Sequence, residues 1–209
     1  FDTSWMALRE RARMKPGDNV LVLGATGAVG NAAVQLARAM GAKVVMGAVT
    51  SPVKFAGVRA AGADAMIDLS QPDLRESLRA QVFAATGNHG ADIIIDPIGG
   101  DIFDAAIRSV AWRGRVVILG FAAGGIPTLK INYLMLKNCE VSGMQISDYR
   151  RRTPELMREC FAEIYRFHAE GKIAAPPSET MALADYAKAM RLIEERKTTK
   201  RLVLLARGA

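Results

Sequence analysis

Cysteine and histidine are scarce: the chain has only Cys139, Cys160, His89 and His168. Two cysteines are too few for a disulfide framework, and they lack Cys-x-x-Cys spacing. The histidines stand far apart and form no ligand pattern with either cysteine, so no metal site is expected. Cys160 falls on an apolar helical stripe and reads as core. Aromatics make up 6% of the residues, too few to interleave with basic groups as readers of bases. The net charge is +7, but the basic residues lie in separate pieces. These are Arg9, Arg11, Arg13 and Lys15; Arg150, Arg151 and Arg152; and Lys197, Lys200 and Arg201. They read as solvated faces, and nucleic acid is not an expected partner. No apolar run reaches the ~18 residues of a membrane span, so no membrane partner is expected either. The N-terminal Phe1-Asp2-Thr3-Ser4-Trp5 lacks the basic start and apolar core of a signal peptide. A cytoplasmic protein is the expectation. The most informative absence is local: no Asp or Glu occurs between Asp18 and Asp64.

What is present within that acid-free stretch is a strand, a glycine turn and a helix. Val20 to Leu23 reads as a buried parallel strand. Gly24, Gly27 and Gly30 form a turn, and Val29 to Met40 reads as a helix. Its apolar residues Val29, Ala32, Ala33, Leu36, Ala37 and Met40 share one face. A strand before and a helix after is the context that gives a glycine motif meaning. Backbone N–H groups and the positive end of the helix dipole then meet a pyrophosphate. The spacing departs from Gly-x-Gly-x-x-Gly, because Ala25 holds the first glycine position. Alanine fits there if its φ is negative, with Gly24 supplying the conformational freedom.

The second strand, Lys43 to Val49, selects the nucleotide. NAD-binding versions place an acid about 20 residues past the glycines, on the ribose 2′-hydroxyl. Here the strand runs into Thr50-Ser51-Pro52-Val53-Lys54. Hydroxyls and a lysine suit a 2′-phosphate, and no carboxylate repels it. NADP(H) is therefore expected. Ser51 also reads as a helix N-cap with Pro52 at the first helical position, and both roles are compatible.

Strands and helices go on alternating. A helix is expected over about 52–61 and strands at 65–68 and 91–96. Another helix should run from Pro72 to about Ala85, and one capped by Asp101 should run to Ser109. A fifth strand follows at 115–119, a short helix at 132–137 and a strand at 140–144. This implies a doubly wound parallel sheet, an α/β Rossmann domain over 1–150. The remaining 151–209 is organised differently. Thr153-Pro154 opens a long helix to about Glu170, an extended stretch passes Pro176-Pro177, a helix covers about 184–196, and 202–205 is strand-like. Asp92 and Asp96 lie on the same side of one strand. They read as a strand-start turn and a strand-end backbone contact, or as paired carboxylates. Tyr133 and Lys137 fit the Tyr-x-x-x-Lys spacing of short-chain dehydrogenases. No serine occurs between Val110 and Lys137, so the pair reads as a chance match.

An ordered set of segments runs through nearly the whole chain. It comprises Thr3-Ser4-Trp5-Met6-Ala7-Leu8, Lys15-Pro16-Gly17-Asp18, the Gly24–Gly30 turn and Gly62-Ala63-Asp64. It continues with Asp96-Pro97-Ile98-Gly99-Gly100, Gly114-Arg115-Val116 and Leu136-Lys137-Asn138. In this order they resemble the C-terminal two-thirds of a medium-chain dehydrogenase/reductase of the quinone oxidoreductase type. The resemblance implies an N-terminal barrel-like domain ahead of residue 1, forming one wall of the active-site cleft. It implies that the last strand returns to that domain, or is left as an edge or pairs with another copy. By the same resemblance, Thr3 lies near the nicotinamide. Ala25, Thr26, Gly27, Ala28, Val29 and Gly30 line the pyrophosphate. Thr50, Ser51 and Lys54 hold the 2′-phosphate, and Gly99, Gly120, Phe121 and Ala122 pass near the nicotinamide ribose and ring. Arg196 reaches the cofactor from the C-terminal side. Two positions depart from the family pattern: Thr199 replaces a glycine, and Leu69 stands where some members have tyrosine. The implied activity is zinc-independent hydride transfer from NADPH to quinones or α,β-unsaturated carbonyls. The residues here are its cofactor-binding part, and alone they are expected to turn over slowly or not at all. No catalytic residue is named. A homodimer is expected, with the 126–131 region and the 140–144 strand as candidate interfaces. A zinc alcohol dehydrogenase of the same superfamily and a non-enzymatic NADPH- or nucleic-acid-binding protein are the competing readings.

Overall fold

A computed structural model describes residues 1–195, 197–198 and 200–206. They fall into two compact units, 1–173 and 174–209. In the first unit six parallel strands form one sheet. They are β1 (Asn19–Leu23), β2 (Val44–Val49), β3 (Ala65–Asp68), β4 (Ala91–Asp96), β5 (Val110–Ile118) and β6 (Glu140–Gly143). Their order is β3-β2-β1-β4-β5-β6, the doubly wound order with its switch point between β1 and β4.

Alternation along each strand divides the core into two layers. Val20 and Val22 of β1, Val45 and Val49 of β2 and Ile93 and Ile95 of β4 pack in one layer. There they meet α1 (Asp2–Met6), α2 (Ala28–Ala39) and α8 (Pro154–Ala169). Leu21, Leu23, Met46 and Ile94 point the other way, into α4 (Leu74–Ala85) and α5 (Gly100–Ala106). All five β1 residues are buried, as a strand covered on both faces requires. The helices α3 (Phe55–Ala60), α6 (Asn132–Lys137) and α7 (Ile146–Arg152) complete the unit. Cys160 is fully buried, and burial pushes its thiol up to about 12.

Several expectations change. The helix after β4 is not capped by Asp101: its N-cap is Gly99, and Asp101 lies within the first turn. Gly99 is at φ +70°, a conformation glycine tolerates, so the backbone enters the helix without a side-chain cap. The fifth strand begins at Val110 rather than Arg115. A register shift between Ala91 and Ile93 absorbs the exposed Trp112-Arg113 corner, where Arg113 sits at φ +62°. The helix expected from Thr153 is preceded by α7, whose run of charged residues gives no apolar stripe to read.

The second unit is a small β-α-β arrangement. The strands β7 (Ser178–Ala182) and β8 (Arg201–Leu205) pair in parallel, with α9 (Tyr186–Glu194) between them. The last strand is thus paired within the described residues, Ser178 opposite Arg201 and Ala182 opposite Leu205. The β7 strand was not expected, because Ser-Glu-Thr-Met-Ala is mostly exposed and carries no apolar alternation.

The basic pieces are divided among separate carboxylates. Arg9 pairs with Glu163, Arg13 with Glu140, Arg150 with Asp2, and Arg151 with Asp148. Among the described residues, no helix is long and apolar enough to cross a membrane.

Candidate dinucleotide site

The site is built where strand ends meet at the switch point. Leaving β1, Gly24 adopts φ +62°, while Ala25 keeps an ordinary negative φ and is buried. Glycine freedom at 24 and alanine at 25 are therefore both accommodated. The Ala25 N–H donates to the Ala48 carbonyl (3.1 Å), and the Gly27 N–H donates to that of Gly24 (2.9 Å). The next helix then starts at Ala28 with Gly27 as N-cap and no side-chain cap. The first-turn N–H groups of a helix have no partners within it. Here Thr26, Gly27 and Ala28 are exposed and only the Gly27 N–H is already taken, by Gly24, so the first-turn donors from Ala28 on and the positive helix end are open to an anion. Gly30 allows the turn to close: a Cβ there would lie 2.2 Å from the Gly24 carbonyl oxygen.

Beside this cradle, α1 is tied down by Ser4, whose Oγ donates to the Val29 carbonyl at 2.8 Å. That contact places Thr3, half-buried, next to the start of α2. The Thr3 N–H is held by Asp2 (2.8 Å), and Asp2 is paired with Arg150 (2.5 Å). Burial works against the Asp2 charge, yet the bonds from Arg150 and Thr3 hold its carboxyl below the ordinary range. Ser4 was not legible as a site residue, since a lone serine in an apolar helix start carries no motif.

The end of β2 forms the next wall. Thr50 is exposed, and Ser51 is extended at the N-cap of a 3-10 turn with Pro52 first. Its hydroxyl makes no cap bond, so the N-cap position does not consume it. Lys54 is exposed and has no carboxylate partner among the described residues. One acid does approach, because Asp68 lies opposite Val49 in register. Its oxygens are taken by the Ser70 hydroxyl (2.6 Å), the Ser70 N–H (2.9 Å) and Gln71 (2.6 Å). These bonds, Ser70 first, hold its carboxyl below the ordinary range. Asp68 is thus committed to its own turn.

The third wall joins the ends of β4 and β5. Buried Asp96 accepts the N–H groups of Ile98 (2.7 Å) and Gly99 (2.9 Å) through one oxygen. Its other oxygen has no partner, and burial raises its pKa. Asp92 is a structural acid too: it accepts both nitrogens of Asn19 and meets His89. Asp92 and Asp96 stand at opposite ends of β4 and bond to different partners, Asp92 to Asn19 and His89 and Asp96 to the Ile98 and Gly99 amides, as a strand-start and a strand-end contact do. The loops themselves are zipped together. Ala122 N–H donates to Pro97 (3.2 Å), Ala123 to Ile98 (3.0 Å) and Gly100 to Gly125 (3.0 Å). A Cβ on Gly99 would meet Phe121 at 2.9 Å, so this glycine and that ring are in contact. Gly24 touches the same wall, since a Cβ there would be 2.6 Å from Ile98.

The carboxyl ends of β1, β2, β4 and β5 therefore carry Ala25–Gly30, Thr50, Ser51, Lys54, Gly99, Gly120, Phe121 and Ala122, with Thr3 beside the start of α2. Arg196 lies outside the described residues. Tyr133 and Lys137 lie at the amino end of the sheet, away from these residues. The Lys137 ammonium is bonded to the carbonyls of Arg108 and Val110, where β5 begins. Among the described residues, no three His, Cys, Asp or Glu side chains gather as metal ligands.

Residues 28–162 match the zinc-binding dehydrogenase family. The chain belongs to that family. Within it the medium-chain dehydrogenase/reductases of the quinone oxidoreductase type are similar throughout the chain. A quinone oxidoreductase-like protein 2 homolog of Nematostella vectensis is 34% identical over 98% of this chain and 55% of its own length. The Bos taurus protein is 32% identical, over 98% and 57%. The chain thus spans about half the length of the curated relatives it matches. The crystal structure of a Pseudomonas syringae quinone oxidoreductase superposes with a TM-score of 0.84 at 31% identity, covering 98% of this chain and 61% of that one. A mycobacterial protein solved in complex with NADPH superposes at 0.85 with 29% identity, over 98% and 62%. Despite the family's name, the donor chemistry here does not suit zinc: Cys139 and Cys160 are buried in separate halves of the core, and His89 is paired with Asp92. No zinc step is assigned to these residues.

Proposed function

We propose that this chain is the cofactor-binding part of an NADPH-dependent oxidoreductase that passes hydride to quinones or α,β-unsaturated carbonyls without zinc. The observation that carries the reading is an uncapped helix start and, at the end of the next strand, a lysine with no carboxylate partner among the described residues, with the neighbouring acid turned to other partners. Ala25 to Gly30 line the pyrophosphate, and the first-turn amides of Ala28 and Val29 donate to it. Thr50, Ser51 and Lys54 hold the 2′-phosphate, and Thr3, Gly99 and the 120–122 loop border the nicotinamide end. Bound NADPH would supply the hydride; these residues bind it, orient it and keep carboxylates away from its phosphates. The names of the relatives support quinone-type acceptors, and the mycobacterial complex supports NADPH.

Titration of the full-length protein with NADPH and NADH tests this. Losing one charge-assisted contact costs ~1.5–3 kcal/mol, so Lys54→Glu should weaken NADPH about 10- to 100-fold and NADH far less. Equal losses for both would end the 2′-phosphate assignment. A panel of quinones, enones and alcohols, with metal analysis, separates this reading from a zinc alcohol dehydrogenase. We also infer a homodimer through the edge strand β6 and the exposed Ile126 and Ile131, with Met135 and Leu136 adjoining them. Light scattering of Ile131→Lys against wild type checks this, and an unchanged mass would remove the assignment.

A further inference from the structure

A second concentration of positive charge lies at the opposite, amino-terminal end of the sheet from the glycine turn. A cavity of about 400 Å³ is lined by Arg79, Arg108, Tyr133 and Lys137. Three elements build it: α4 supplies Arg79, the turn before β5 supplies Arg108, and α6 supplies Tyr133 and Lys137. Arg108 and Lys137 each stand just before a strand begins, at the N-terminal end of the sheet.

The cations are held in place but not neutralised. Arg79 lies over the Phe83 ring at 4.8 Å, which leaves its N–H groups without an acid among the described residues. Arg108 pairs with Glu76 at 2.5 Å. Lys137 donates to the carbonyls of Arg108 (2.8 Å) and Val110 (2.6 Å), and its ammonium is 5.9 Å from the same Phe83 ring. An ammonium has three protons, so one remains for a ligand. Three cations and one carboxylate leave two positive charges facing one hollow. Burial, and after it the Arg79 charge, already pulls the Lys137 pKa down. Like charges held this close favour an anion between them. A phosphomonoester carries about −1.5 to −2 at neutral pH and three acceptor oxygens. It matches that excess, and the Tyr133 hydroxyl adds a donor or acceptor. Four water-sized oxygens need only ~120 Å³ at ~30 Å³ each, so the hollow also has room for an organic substituent.

We propose that Arg79, Arg108, Lys137 and Tyr133 form a binding site for a phosphate dianion, free or as a small phosphomonoester. The site is independent of the NADPH reading, because it shares no residue with the glycine turn or with Lys54.

Calorimetric titration of the full-length protein at fixed ionic strength tests it, with inorganic phosphate, glycerol phosphate and chloride as probes. Saturable binding of one or both phosphates, absent with chloride, is expected. Tighter glycerol phosphate assigns a monoester; tighter inorganic phosphate assigns the free ion. Arg79→Gln changes an exposed side chain, so the variant is expected to fold, with its melting point as the check. It should weaken the phosphate about tenfold or more, the worth of one charge-assisted hydrogen bond. Tyr133→Phe should weaken it less, and Lys54→Glu should leave it unchanged. No saturable binding, equal affinity in Arg79→Gln, or loss in Lys54→Glu instead would overturn the proposal. The last outcome would show the phosphate sitting in the dinucleotide cradle.

Discussion

Replacing Gly30 by alanine tests whether the strand–helix turn is set by close backbone approach. A helix interior favours alanine over glycine by about 1 kcal/mol, so propensity alone predicts a stabilised variant. The local geometry predicts the reverse. The new Cβ would lie 2.2 Å from the Gly24 oxygen, 2.8 Å from its carbonyl carbon and 2.9 Å from the Ala25 Cα. Ordinary contact begins near 3.4 Å, so the helix start must retreat by about 1 Å from a close-packed neighbour. All three obstructing atoms are backbone, so no side chain can rotate away. Overpacking of this kind costs ~1–3 kcal/mol, and immovable backbone places the cost at the upper end. After the propensity gain, a net loss of ~1–2 kcal/mol remains, about 2–8 °C in melting temperature for a chain of this size. Dinucleotide affinity should fall by about tenfold or more, because the same retreat moves the first-turn amides. Gly27→Ala is the control. Its Cβ would meet only the Gly24 oxygen, at 3.4 Å, and its φ of −70° suits any residue. Its melting point should match wild type within ~0.5 kcal/mol. Differential scanning calorimetry with nucleotide titration reads both. A Gly30→Ala protein that melts at or above wild type would refute the reasoning.

Three further outcomes follow from buried and half-buried groups. Asp96 has its folded pKa raised above its unfolded value, so its favourable contribution is complete below pH ~3.8 and is lost as pH rises through the folded pKa. Asp96→Asn should therefore lose least, or gain, relative to wild type at neutral pH. Denaturation at pH 7 and pH 4 checks this, and a variant that becomes relatively better at pH 4 contradicts it. Glu163 has the opposite sign. Burial opposes its charge, but Arg9 and Trp5 hold its carboxyl below the ordinary range. Its contribution is present above pH ~4.5 and is lost as pH falls through the folded pKa, so the destabilisation by Glu163→Gln should shrink on acidification. Urea titrations at pH 7 and pH 3.5 measure the difference. Both cysteines are buried with raised pKa values, so a thiol reagent at pH 8 should label neither until the chain is denatured. Rapid labelling of the native protein would contradict that burial.

Much of the fold was legible because parallel strands buried on both faces leave near-continuous apolar runs. Val20 to Leu23 and Ile93 to Ile95 are such runs, and each emerged as a strand within a residue or so of its reading. The glycine turn was equally plain, since closely approaching backbone admits one residue type at position 30. Elements without an apolar pattern were not legible: the polar strand 178–182, the charged helix 146–152 and the early start of β5 at Val110. They are held by pairing and packing with distant segments, which a local window does not contain.

By itself the sequence determined the alternation of strands and helices, the turn at 24–30 and the absence of acid between Asp18 and Asp64. Each depends on residues close together along the chain. Only the tertiary structure decided that Asp68 comes alongside the end of β2 yet is committed to Ser70 and Gln71. It alone fixed Ser4 against the start of α2 and brought Arg79 together with Arg108 and Lys137. The physical reason is that charge and hydrogen-bonding act through space over a few ångströms. Residues 25, 29 or 58 positions apart become neighbours only after the sheet has set its strand order.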